Sequence, residues 1–240
     1  MDQYTLIINS GDDLREKLIT LPLNNTSTIM IMINEGTYNI QGDYLNIDRQ
    51  HPVHIVGNGR VVIKGGVGFN NAYHILENVT LLNARAHGVR GQCSFKMINV
   101  IVEEASHHGV YVDGMYGGGD SYHMIECVDV KVLNCQKSGL YANRRGTIKL
   151  VREQQGIGVV NNCLNEEEVN YGLNVGDFGK IVIDNDIVQR VSWGNKGYRN
   201  WKENAHQLND INGMTLSDQM PEQPGTDMQT DMQGLPGLRF

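Results

Sequence analysis

The sequence predicts an all-β fold, a solenoid of short parallel strands, and three observations carry that prediction. One phrase is written three times: HILENVTLLNARAHGVRG from His74, FKMINVIVEEASHHGVYV from Phe95 and IECVDVKVLNCQKSGLYA from Ile125, at offsets of 21 and 30 residues. A period in this range marks a repeat architecture. Within each copy the apolar columns mostly step by two, the strand period. They include Leu76, Met97 and Cys127, and then Leu81, Val102 and Val132. Finally, Gly88, Gly109 and Gly139 share a column that reads as a corner without Cβ, and Asn78, Asn99 and Asp129 share one that reads as a left-handed turn.

Short strands joined by corners at this period describe one coil of a parallel β-helix. Leucine-rich repeats have a similar length, but their L-x-x-L-x-L signature is missing. The repeat resembles the right-handed parallel β-helix of the pectate-lyase-like superfamily. That resemblance implies a single-stranded right-handed coil with an N-terminal capping helix and an irregular C-terminal tail.

In chain order, residues 1–21 read as a strand (DQYTLIIN) and a capping helix. Ser10 is the expected N-cap, Asp12 and Asp13 suit the first turn, and Leu14, Leu18 and Leu21 recur at helical spacing. Residues 22–191 read as the β-helix. STIMIMINEGTYNI opens it as an alternating strand, and YLNIDRQHPVHIVGNGRVVIKGG reads as three short strands with glycines at corners. The three matched copies follow, interrupted after the second by an inserted loop, Asp113 to Ser121. Loops off a rigid coil are where binding surfaces are usually built. Residues 192–217, with Trp193, Tyr198 and Trp201, read as a C-terminal cap. Residues 218–240 are rich in Pro, Gly, Gln, Asp and Met without periodicity, and read as a flexible or partner-docked tail.

Bulk properties exclude several classes. The net charge of −7 argues against nucleic acid as an obligate partner, because phosphate binding needs a basic footprint. No apolar run reaches membrane-span length. The first residues lack a basic, apolar leader pattern, so the expected location is intracellular. The four cysteines form no C-x-x-C pair; Cys127 and Cys135 occupy inward columns and read as small buried thiols, with contact between Cys135 and Cys163 on neighbouring coils as the lesser alternative. The G-N-G stretch lacks a phosphate-loop signature, so no cofactor is expected, and no metal site either.

Outward columns should form ladders along one face of the coil. Arg90, Tyr111 and Tyr141 form one; His87, His108 and Ser138 form another beside the glycine corner. An enzyme reading would rest on His108, Asp113 and Asp120, as a polysaccharide lyase or glycoside hydrolase acting on an acidic glycan. A second alternative is non-catalytic carbohydrate binding on Arg90, Tyr111, Tyr141, Trp193, Tyr198 and Trp201. Uronate lyases of this superfamily cluster several aspartates for calcium, and no such cluster falls in aligned columns here. The leading expectation is therefore a non-catalytic scaffold, a structural component of a virus particle or another large complex. Its partners would be other protein subunits, reached through the C-terminal tail.

Overall fold

The computed structural model describes residues 4–19, 28–114, 123–151, 156–165, 171–176, 178–183, 192–193, 199–201 and 208–210. The chain is all-β, 62% strand and 3% helical, with parallel strands in one sheet curled into a half-barrel. After β1 (Tyr4–Ile8) and α1 (Leu14–Ile19) come two long strands, β2 (Ile29–Arg49) and β3 (Val53–Asn71). Then the chain settles into triplets: β4 (His74–Glu77), β5 (Thr80–Leu82) and β6 (Val89–Gln92); β7 (Phe95–Ile98), β8 (Ile101–Glu103) and β9 (Val110–Asp113); β10 (Met124–Val128), β11 (Lys131–Leu133) and β12 (Leu140–Asn143). The last are β13 (Thr147–Val151), β14 (Gly158–Val160), β15 (Tyr171–Val175), β16 (Lys180–Ile183), β17 (Ser192–Trp193), β18 (Arg199–Trp201) and β19 (Leu208–Asp210).

From β4 onward each strand pairs in parallel with the strand three places later. The sequence columns are therefore hydrogen-bonded neighbours. Leu76 pairs with Met97 and Met97 with Cys127; Leu81 pairs with Val102 and Val102 with Val132. The strands fall on three sides. β4, β7, β10, β13, β16 and β19 form the first, β5, β8, β11, β14 and β17 the second, and β6, β9, β12, β15 and β18 the third.

β2 and β3 correct the expectation of three separate short strands between Tyr44 and Gly66. Each runs unbroken around all three sides. β3 pairs with β4 through His54–Val56, with β5 through Val62–Lys64 and with β6 through Val67–Asn70. The glycines bend the strand instead of ending it, and the pairing survives with register shifts at Asn34/Gly36 and Asn39/Tyr44.

Two kinds of corner make the turns. Asn78, Asn99 and Asp129 have φ of 56°, 51° and 52°, so the polar column is a left-handed corner as expected. A second such column closes the second side at Asn83, Glu104, Asn134 and Asn161, with φ of 55°, 58°, 55° and 53°. The glycine corner works differently. Gly88, Gly109 and Gly139 have no positive φ; they are needed because neighbours approach closely. A Cβ on Gly109 would overlap Val132 Cγ1 and come within 2.7 Å of the Gly139 carbonyl oxygen.

The inward residues make one apolar core between the three sides. Phe69 and Phe95 meet at 4.6 Å between ring centroids, and His74 stacks on Phe69 at 5.5 Å. His74 is buried among them, yet satisfied. Its Nδ1 accepts from the Val53 N–H at 3.2 Å and its Nε2 lies 3.0 Å from the Asn70 carbonyl oxygen. That leaves Nε2 to carry the proton of a neutral ring.

Two smaller expectations change. α1 is capped by Asp13, not Ser10: Asp13 Oδ1 accepts from the Arg15 and Glu16 N–H groups at 2.8 and 3.1 Å. Leu14 and Leu18 of α1 are buried, and Arg15 and Arg49 tie it to β2 by donating to the Tyr44 and Leu18 carbonyl oxygens. Asp113 ends β9; it does not sit in the inserted loop. All four cysteines are buried and none forms a disulfide, as the inward columns of Cys127 and Cys135 led one to expect. Burial pushes Cys93 and Cys135 up to about 12, which makes them poor nucleophiles. Among the described residues no helix is long and apolar enough to cross a membrane.

Candidate functional site

The outer surface of the third side carries polar and aromatic groups in two columns. Alternation along β6, β9 and β12 turns Val89, Val110 and Leu140 inward, and so turns Arg90, Tyr111 and Tyr141 outward. These three are register partners, as their spacing predicts. Two residues further along each strand, Gln92, Asp113 and Asn143 stand in a second outward line. Sequence reasoning missed this line. Carrying the repeat alignment past its last apolar residue would have found it.

Beside these columns lies a stack of rings. Tyr44 from β2 stacks on His87 at 6.4 Å, with 26° between planes. His87 stacks on His108 at 5.3 Å and 9°, and on Tyr111 at 4.7 Å and 15°. His107 and Tyr141 close the stack edge-on, at 5.3 Å from His87 and 4.7 Å from His108. The Tyr44 hydroxyl accepts from the His87 N–H at 3.1 Å, and the Arg90 guanidinium sits 6.0 Å above the Tyr44 ring. The sequence pairs His87 with His108, but Tyr44 lies too far away in the chain for any repeat to reveal.

His87 and His108 are pushed down to about 3, above all by burial, with the neighbouring His107 and Lys137 charges acting in the same direction. Both rings are therefore neutral at ordinary pH. Among the described residues the Nδ1 atoms of both have no hydrogen-bond partner, and they are shielded from solvent, as is the Gln92 side-chain nitrogen.

Of the proposed acid–base residues, His108 is 8% exposed and Asp113 is 3% exposed. Asp113 pairs with the Arg144 guanidinium, which arrives from the corner after β12. The Tyr111 hydroxyl donates toward Asp113 Oδ2 at 3.5 Å, and Asn143 donates to the Tyr111 oxygen at 3.4 Å. Asp120 and Tyr198 lie outside the described residues. Trp193 and Trp201 lie in β17 and β18, on the second and third sides. The structure thus brings together Arg90, Tyr111, Tyr141, His108 and Asp113, and places Trp193 on a different side from them.

Among the described residues no cluster of three or more His, Cys, Asp or Glu could hold a metal ion. Comparison with protein-family models, curated proteins and solved structures finds no match to this chain.

Proposed function

We propose that the chain is a non-catalytic scaffold, a right-handed parallel β-helix of the pectate-lyase-like kind, that serves as a structural component of a virus particle or another large intracellular complex. One observation carries this reading: the candidate acid and base among the described residues are already committed. Asp113 is buried against Arg144, and His108 is buried as a neutral ring within the stack. A general acid or base must reach a substrate proton, and neither group is presented to do so. An assay of uronate polymers and neutral glycans should give no unsaturated product and no new reducing ends. Turnover that disappears in Asp113→Ala or His108→Ala would overturn the scaffold reading.

Assembly would run through residues 218–240, whose Leu235, Leu238 and Phe240 supply apolar anchors. Removing them should release protein subunits that co-purify with the full chain while the β-type circular dichroism spectrum is kept. Unchanged co-purification would end the tail's role.

A second reading, glycan binding without cleavage, is favoured by the outward Tyr111 and Tyr141 rings, whose centroids lie 5.6 Å apart. Aromatic faces are among the groups that hold sugar rings.

A further inference from the structure

The corner between the first and second sides is not built alike in every turn. From β4 to β11 one left-handed residue makes it, in turn Asn78, Asn99 and Asp129, and the next residue already faces the core. β3 is longer there. Val56 pairs with Glu77 and Val62 with Thr80, so residues 57–61 span what residues 78–79 span one turn later. Asn58, Gly59 and Arg60 are exposed, while Val61 returns to the core. β3 therefore carries an outward bulge at this corner.

A cleft of about 340 Å³ lies between that bulge and the two turns that follow, at the lower end of the sizes that hold small molecules. Gly57 and Gly59 line it on the bulge side. Neither position takes a side chain easily: a Cβ on Gly57 would overlap the Asn78 carbonyl oxygen, and Gly59 has φ of 87°. The other side is lined by Asn78 and Thr80 from one turn and by Asn99 and Ile101 from the next. Arg60 is the one charged residue among those that line the cleft.

The cleft also interrupts a ladder of amides that runs along this corner. Asn34 donates to Asn9 at 2.8 Å and Asn58 to Asn34 at 3.0 Å; beyond the cleft, Asn99 donates to Asn78 at 2.8 Å. Asn78 turns its own Nδ2 aside, to Glu77 Oε1 at 3.3 Å, so among the described residues no side-chain bond joins Asn58 to Asn78. Three polar groups are left over. The Arg60 guanidinium, the Thr80 hydroxyl and Asn99 Oδ1 have no hydrogen-bond partner among the described residues. A cation, a hydroxyl and an amide oxygen thus share one recess with the half-buried Ile101.

We propose that this cleft binds a small hydroxycarboxylate. The planar fork of Arg60 matches a carboxylate through two parallel hydrogen bonds. Asn99 Oδ1 accepts from a ligand hydroxyl, and the Thr80 hydroxyl bonds a second. Ile101 packs against the carbon chain. One cation selects a singly charged ligand; a phosphate dianion would keep one charge unanswered on a chain whose net charge is already −7. The cleft shares no residue with the ring stack of the third side, and it stands whether or not the scaffold reading does.

Titration of the full chain with D-gluconate, followed by amide chemical shifts, tests this. The amides of Gly57, Gly59 and Thr80 should shift together with a Kd of about 1 mM, the value that ordinary ligand efficiency gives a molecule of about a dozen heavy atoms. D-Glucose and inorganic phosphate should move the same amides about 10-fold more weakly. Arg60→Gln should raise the gluconate Kd by about 10-fold or more, the loss of a charge-assisted pair. Arg60→Lys keeps the charge without the fork, and should retain only part of the affinity. Circular dichroism should stay unchanged in both variants, since Arg60 is exposed. Silence of these amides up to about 20 mM gluconate would overturn the proposal. So would shifts confined to the third side, gluconate binding that Arg60→Gln leaves intact, or phosphate or glucose bound as tightly as gluconate.

Discussion

Acidification from pH 8 to pH 5 should lower the unfolding free energy by on the order of 4 kcal/mol, about 2 kcal/mol for each of His87 and His108. Both are held near 3 in the fold, against an ordinary value of 6.5. The unfolded chain binds a proton on each ring below pH 6.5, whereas the folded chain does not. Stability is therefore complete above about pH 6.5 and falls steadily as pH drops toward 3. His74, lowered by burial, adds to the same trend. Among the described residues no carboxylate stands in the ring stack to receive the charge. The groups facing the two rings are Tyr44, Tyr111, Tyr141, His107, Arg90 and Lys137, and the last three make protonation worse. Urea midpoints at pH 8, 6.5 and 5 measure the effect. His108→Gln should reduce the slope by about half, because one of the two titrating rings is gone. A midpoint that is flat across this range would refute the neutral stack.

Gly109→Ala should cost roughly 3 kcal/mol or more, the upper end of what overpacking in a core brings. The new methyl group would strike Val132 Cγ1, lie 2.7 Å from the Gly139 carbonyl oxygen and 3.1 Å from Cys135 Sγ. All three neighbours belong to the next turn, and the Gly139 carbonyl is already committed, accepting from the Val110 N–H at 2.8 Å. The backbone cannot withdraw without breaking that bond, so relaxation falls mainly to Val132. Val132→Ala in the Gly109→Ala background should recover part of the loss. Equilibrium denaturation of the three variants tests this; a Gly109→Ala cost under about 1 kcal/mol would mean that the corner yields easily.

The repeat was legible because its inward columns obey one rule: a residue that faces the core meets its counterpart one turn away. Val102 and Val132 are found in that way, and they do pair. The corners at Asn78, Asn99 and Asp129 were legible because these side chains favour left-handed backbone. The second left-handed column was not, since Glu104 holds a position filled by Asn83 and Asn134, and glutamate carries no turn signal. β2 and β3 misled for another reason. Glycine in sequence says that the chain bends, not whether strand pairing continues through the bend. In the candidate site, the repeat alignment pointed to Arg90, Tyr111 and Tyr141, and the register places them together. Burial could not be read so. His108 stands in an outward-looking column, yet Tyr111 and Tyr141 cover it. Asp113 looked like a loop residue because the loop follows it, and only the Arg144 pairing shows it closed off.

The pairing of each strand with the strand three places on has a consequence for how the molecule forms. Among the described residues strand pairing from β4 onward joins each turn only to its two neighbours, so the folding free energy is dominated by nearest-neighbour terms. Closing a turn joins residues only about 20 to 30 positions apart, a modest entropic penalty repeated many times. The structure can then zip outward from its best-packed rungs, around Phe69 and Phe95, and fray inward from its ends. Damage stays local in such a molecule: a weakened rung opens its neighbours, while turns several places away keep their shape.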